Sequence, residues 1–187
     1  SLTITIIGSN DTPVVVGTIA DQASVDLAII NIATSGFFDD VDADTTLTYS
    51  ATGLPAGLTI NSSTGAISGQ INHSASQGGT NGVYGIVVTA TDEHAAAVDQ
   101  TFTWTVSNPA PNADNDTATT TEDSVLTVPV SGVLANDNDP DGDPISVGEV
   151  NGDAAKVGVA VAGSDGGLCT VNDDGSYVFN PNGAFDW

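Results

Sequence analysis

The side chains best suited to chemistry in this sequence are carboxylates placed at every second position in two short stretches. The stronger is Asn136-Asp137-Asn138-Asp139-Pro140-Asp141-Gly142-Asp143. Alternating carboxylates followed by a glycine that allows a sharp turn can wrap oxygens around one hard cation, and calcium takes about 6–8 such ligands. The spacing follows the first half of an EF-hand loop, but Gly148 stands at the twelfth position, where a bidentate Glu would be needed, and Pro140 is unusual there. The plain alternative is a solvated, Asp-rich turn. The second stretch, Asp39-Asp40-Val41-Asp42-Ala43-Asp44, follows Phe37-Phe38 and has no glycine. Asp92-Glu93, after a strand-like run, is expected beside it. Asn10, Asp11, Asn108, Asp114, Asn115 and Asp116 lie in linker-like segments, where a bound cation would stiffen a joint between domains. Asp173-Asp174-Gly175 reads as a hairpin turn.

Other chemistry is poorly supported. His73 and His94 sit in polar, turn-like stretches, and no Ser/His/Asp or Cys/His set can be assembled around them, so the chain is read as a non-enzyme. The acidic pairs lack the aromatic walls that a glycosidase uses to grip a sugar. Cys169 is the single cysteine, expected to be a buried thiol on a strand, with an intermolecular bridge as the alternative. Lys156 is the single basic residue; a cross-link to Asn or Asp competes there with an ordinary exposed lysine. Trp104 alternates with Phe102 and Val106 and is expected in a core. Trp187 is read as core or as a plug into a neighbour, and sugar stacking on the two tryptophans defines the alternative function, a carbohydrate-binding module.

The elements that must position these residues are strands. The 187 residues carry 24 acids, of which only Glu93, Glu122 and Glu149 are Glu, and a net charge of −23. Asp favours turns and caps, whereas helix surfaces favour Glu. With abundant Thr, Ser, Val, Ile and Gly, this predicts an all-β chain with acid-rich loops. The charge excludes nucleic acid, whose phosphates would meet no cations, and equally an anionic membrane surface. Self-repulsion calls for either high external salt or bound divalent cations, of which calcium suits clustered carboxylates outside a cell. No apolar run reaches the ~18 residues of a membrane helix.

Leu2 to Ile6 alternates apolar and polar residues and is followed by an Asn/Pro segment; Thr101 to Val106 repeats that pattern about one sandwich domain later. Short β-rich runs lie between (46–51, 58–60, 66–69, 84–90), and residues 23–32 are read as one more strand. After Asn112 the runs are 117–121, 125–128, 145–150, 156–162, 167–171 and 176–180. The expected organisation is a closing or donor strand at 1–9, a sandwich at 10–108 and a second at 109–187 without its last strand. The sequence contains no methionine and no visible signal peptide, and is read as an internal piece of something longer. Cutting from a tandem array explains the two ends; donor-strand exchange, with residues 1–8 of one copy completing the second domain of the next, is the sharper reading.

The stretch 37–69, with LTYSATGLPAGLTINSSTGAISG, and the closing phrase YGIVVTATDEHAAAVDQTFTWTVSNPAP resemble the bacterial cadherin-like domain related to that of dystroglycan. Residues 112–187, with TEDSVLTVPVSGVLANDNDPDGDPISV and NDDGSYVFNPNGAFD, resemble cadherin-like and VCBS repeats of RTX-type adhesins. The resemblance implies tandem immunoglobulin/cadherin-like Greek-key β-sandwiches in a secreted bacterial surface or biofilm protein. It also implies Ca2+ held by Asp40, Asp42, Asp44, Asp92, Asp137, Asp139, Asp141 and Asp143. The implied partners are neighbouring repeats, copies of the chain itself or a surface polysaccharide.

Overall fold

The computed structural model describes residues 3, 8–42, 45–164 and 166–184. The chain divides into two compact units, Ser1–Asn108 and Pro109–Trp187. Among the described residues the only helices are single 3-10 turns and every other regular element is a strand, so the fold is all-β.

The first unit contains β1 (Val14–Val15), β2 (Gln22–Val25), β3 (Ile29–Ala33), β4 (Phe38–Asp39), β5 (Thr48–Thr52), β6 (Leu58–Ile60), β7 (Ala66–Gln70), β8 (Val83–Thr91) and β9 (Ala97–Ser107). One sheet has the order β2-β9-β8-β5 and the other β3-β7-β6, while β1 pairs with β4. The β8–β9 hairpin is the spine, running antiparallel from Val83↔Thr105 to Thr91↔Ala97, and β2 joins β9 in parallel.

Period two in these strands decides the core. Ile86, Val88 and Ala90 of β8 and Phe102, Trp104 and Val106 of β9 point inward and are buried. They meet Leu58 of β6 and Ile67 of β7 from the facing sheet. Each such side chain contributes roughly 1.5–3 kcal/mol on burial. Trp104 is 1% exposed, and its indole Nε1 donates to Ser24 Oγ at 3.1 Å, which satisfies the one polar atom it takes inside. Gln100 occupies an inward position of the same strand. Its Oε1 accepts from Ile19 N and its Nε2 donates to Gly17 O at 2.9 Å, so it fastens the edge segment 17–19 to the spine.

Among the described residues the second unit has one sheet, β10-β13-β12-β11, from β10 (Leu126–Val128), β11 (Val161–Ala162), β12 (Leu168–Val171) and β13 (Tyr177–Asn180). Its β12–β13 hairpin turns at Asp173-Asp174-Gly175, as the sequence predicts; Ser176 Oγ, and then Ser176 N, donate to Asp174 Oδ1 and hold that carboxyl below its usual range.

Several strand expectations fail. Residues 23–32 form two strands, because Asp26 and Leu27 make a turn, with Leu27 at φ +60° and Ala28 N donating to Val25 O. Residues 117–121 and 145–150 form no strand, and 156–162 gives only Val161–Ala162. Alternation marks which side chains share a face, but a strand also needs a neighbour's amides and carbonyls. Val147 N, for example, finds Asp173 O and no ladder follows.

Replacing Trp104 by Ala should lower unfolding free energy by about 3–5 kcal/mol in urea titrations. Thr105→Ala, on the exposed face of the same strand, should stay within about 0.5 kcal/mol.

Candidate functional site

Several acids of the first unit lie together at one pole of its sandwich. There β4 ends, β5 begins, and the β8–β9 hairpin turns at 92–96. Asp92 is 5% exposed and organises that hairpin: Oδ1 accepts from His94 N at 2.8 Å and Ala96 N at 2.9 Å. Its Oδ2 accepts from Asn10 Nδ2 at 2.9 Å. The Asn10 amide first, and then the two backbone amides and His94, hold this carboxyl below the usual range against the opposing effect of burial. The next residue of the same segment is held as well, since Asp11 N donates to Asp42 Oδ2 at 2.8 Å. Asp42 N in turn donates to Asp40 Oδ1 at 2.9 Å, and Thr46 N to Glu93 Oε2 at 3.3 Å. Asp40 Oδ2 is buried and accepts no hydrogen bond. Hydrogen bonds therefore tie Asp92 and Asp42 to the Asn10-Asp11 segment and Asp40 to Asp42, while Glu93 reaches Thr46. Asp44 lies outside the described residues.

The acidic loop of the second unit repeats this arrangement. Asp114 N donates to Asp137 Oδ1 at 2.8 Å, so an acid again holds the chain segment that leads into its own unit. Asn112 and Asn138 exchange backbone hydrogen bonds at 2.8 and 3.0 Å, and Asn136 Nδ2 donates to Asn115 O. Asp141 N donates to Asp139 Oδ1 at 3.1 Å, the same two-residue turn that Asp40 and Asp42 make. Asp143 N reaches the same oxygen at 3.3 Å. Gly142 closes the turn at φ +85°, a conformation that a side chain resists.

Asp141 is the least comfortable of these acids. It is 7% exposed, and both carboxylate oxygens are buried without a hydrogen-bond donor. The Asp139 carboxylate is a neighbour that interacts with it. That contact first, then burial and the charges of Asp143 and Asp139, push the Asp141 carboxyl up to about 6, while Asp139 is lowered.

Among the described residues, no group of three or more His, Cys, Asp or Glu side chains is gathered closely enough to hold a metal ion. What both loops supply instead is hard oxygen donors with unused lone pairs: Asp40 Oδ2, and Asp141 Oδ1 and Oδ2. That donor set suits calcium or magnesium and does not suit zinc or copper, which prefer nitrogen and sulfur.

Sequence reasoning missed Asp26. It is 3% exposed at the β2–β3 turn, with Oδ1 accepting from Ser76 N at 3.0 Å and Oδ2 buried without a partner. Burial, and then the Asp26 charge, raise the Tyr84 phenol. The available signal was a lone acid inside the apolar run 23–32. His73 and His94 are exposed, and Lys156 Nζ lies 3.7 Å from Asp153 Oδ2 at the surface.

Residues 12–107 match the family model described as "Putative Ig domain", and residues 108–186 match that of the bacterial cadherin-like domain. No curated protein matches the chain. Among solved structures, Drosophila N-cadherin EC1-4 is similar at 14% identity and TM-score 0.48, over 96% of this chain and 43% of that one. The human desmocollin-1 ectodomain is similar at 18% identity and TM-score 0.41, over 93% and 32%. A "putative alpha-galactosidase" from Bacteroides fragilis is similar at 15% identity and TM-score 0.39, over 57% and 21%. The chain thus spans about a fifth of the last protein and less than half of either cadherin.

The Asp141 pKa fixes a pH dependence for the metal-free protein. An acid whose pKa is raised on folding binds more protons folded than unfolded, so it lowers stability as pH rises through about 6 and has no effect well below its ordinary value near 3.8. In chelator, the melting temperature of the second unit should therefore rise between pH 7 and pH 5, by calorimetry. Asp141→Asn should flatten that slope.

Proposed function

Because this chain belongs to the "Putative Ig domain" family and carries a bacterial cadherin-like domain after it, we propose that it is an extracellular structural or adhesive repeat whose joints are stiffened by calcium. The observation that carries this reading is the repeated arrangement of acids and incoming chain. In each unit an Asp of the acidic loop holds the backbone of the preceding segment, Asp42 on Asp11 and Asp137 on Asp114, beside carboxylate oxygens that have no donor. A divalent cation at these positions neutralises like charges and fixes the angle at which the segment enters its sandwich.

Asp40, Asp42 and Asp92, with Asn10 or Asp11, are the residues that would hold calcium in the first unit; Asp44 extends the same stretch in sequence. Asp137, Asp139, Asp141 and Asp143 would do so in the second. The ion supplies charge neutralisation and oxygen coordination. The chain's own residues position the linker: Asp92 and Asn10 hold its side, and Asp42 its backbone. Secretion to a bacterial surface of the RTX or VCBS adhesin type accords with the extreme acidity, and neighbouring repeats or further copies are the proposed partners. The role is mechanical, with no catalytic step.

A carbohydrate-binding module is the second reading. Trp104 does not serve it, since its ring is buried in the core.

Calorimetry in millimolar calcium, against sodium at matched ionic strength, tests the proposal. Binding at a hundredfold excess over Kd should add about 2.7 kcal/mol to the unit concerned and raise its melting temperature by several degrees. Asp42→Asn should remove the shift in the first unit alone, and Asp139→Asn that in the second. Equal melting in calcium and sodium would defeat the calcium assignment.

A further inference from the structure

The chain contains the pairs Asn81-Gly82, Asn151-Gly152 and Asn182-Gly183, and each fills the two central positions of a tight turn. The φ angles are +53° and +78°, +49° and +71°, and +54° and +66°. Two successive positive φ angles make a type I′ turn, which Asn and Gly accept most readily. The turns close alike, by Val83 N donating to Thr80 O at 3.2 Å, Asp153 N to Val150 O at 3.2 Å and Ala184 N to Pro181 O at 3.1 Å. By residue type and local backbone the three pairs are equivalent.

The glycine amides are not. Asn is a thermolabile residue because the backbone nitrogen that follows it can attack its side-chain carbonyl, and a following Gly, with no Cβ, obstructs the attack least. The attacking N–H must first leave any acceptor that holds it. Gly82 N donates to Gly78 O at 2.9 Å, and Gly82 O accepts from Val106 N at 2.8 Å. Gly82 is also buried against the carbonyls of Val106 and Ser76, which leave no room for a methyl group. Among the described residues Gly152 N and Gly183 N donate no hydrogen bond, both glycines are exposed, and the space around Gly152 is open. The pairs Asp141-Gly142 and Asp174-Gly175, capable of the same ring closure, are tied as Gly82 is: Gly142 N donates to Asp139 O at 3.2 Å and Gly175 N to Asn172 O at 3.1 Å.

We propose that Asn151 and Asn182 are sites of spontaneous modification to aspartate and isoaspartate, and that the fold protects Asn81 from the same reaction. The glycine nitrogen forms a bond to Asn Cγ, the Cγ–Nδ2 bond breaks, and Nδ2 leaves as ammonia with the proton that the glycine gives up. Water then opens the five-membered imide. Opening between Cγ and the glycine nitrogen gives Asp. Opening at the backbone carbonyl sends the main chain through Cγ and lengthens it by one carbon. Water is the only co-reactant, and nothing is oxidised or reduced. Each product adds a negative charge to a chain already at −23, and the longer isoaspartyl backbone no longer fits a two-residue turn. Both sites lie in the second unit, and neither depends on calcium or on the repeat reading.

Incubating the folded chain in mildly alkaline water enriched in heavy oxygen, then cleaving it and weighing the peptides, reads the three sites separately. The peptides carrying Asn151 and Asn182 should take up heavy oxygen and elute in part as isoaspartyl forms. The peptide carrying Asn81 should convert at least about tenfold more slowly, the order of effect of freeing one buried backbone amide. In denaturant all three should convert at similar rates, since Gly follows each Asn. Folded-state conversion of Asn81 as fast as the other two would overturn the proposal. So would an Asn151 or Asn182 that converts in denaturant but not in the folded chain. An Asn81 that stays equally slow in denaturant would place the difference in sequence and defeat the protective role of the fold.

Discussion

A carboxylate oxygen withdrawn from water needs a proton donor or a cation, and this chain sets 24 acids against one lysine, no arginine and two histidines. Backbone amides supply most of the answer. Asp92 draws in His94 N and Ala96 N and so makes the hairpin turn; Asp139 does the same with Asp141 N and Asp143 N. Asp42 and Asp137 take amides from Asp11 and Asp114, segments that lead into the sandwich rather than belong to its sheets. The charge that threatens compactness is thereby used to fix loops. Where the amides run out, at Asp40 Oδ2 and at Asp141, the need is left open, and this is where a cation has most to contribute.

That local constraint depends on the long β8–β9 hairpin of the first unit. Its inward residues fill the core, and its turn places Asp92 beside the acidic loop that follows β4. Gln100 ties the segment carrying Gly17 and Ile19 to the same spine, and a little earlier in sequence Asn10 reaches Asp92. Core packing and the acidic pole are thus two ends of one element. The second unit has an acidic loop of the same kind but, among the described residues, a single sheet.

Much of the arrangement could be read from residue types. Alternation in Phe102-Thr103-Trp104-Thr105-Val106 gave both strand and inward face, because side chains of a strand point alternately to its two sides. Asp-Asp-Gly at 173–175 gave a turn, since Asp bonds its own backbone and Gly accepts positive φ. The two acidic stretches announced themselves by spacing. Residues 117–121 and 145–150 show the limit of the method: they are rich in Thr, Val and Ile, but among the described residues no neighbouring strand receives their amides.

By itself, then, the sequence determined what each short stretch prefers: all-β structure, turns at acid-rich loops and an inward Trp104. Those properties follow from side-chain shape, period and charge within a few residues. Tertiary structure decided which distant groups meet. Asn10 finds Asp92 across 82 positions, Asp26 enters the interior against Ser76, and Asp141 loses its water beside Asp139. Such pairings depend on how strands are ordered in a sheet and how far a loop is withdrawn from solvent, and neither is encoded in local periodicity.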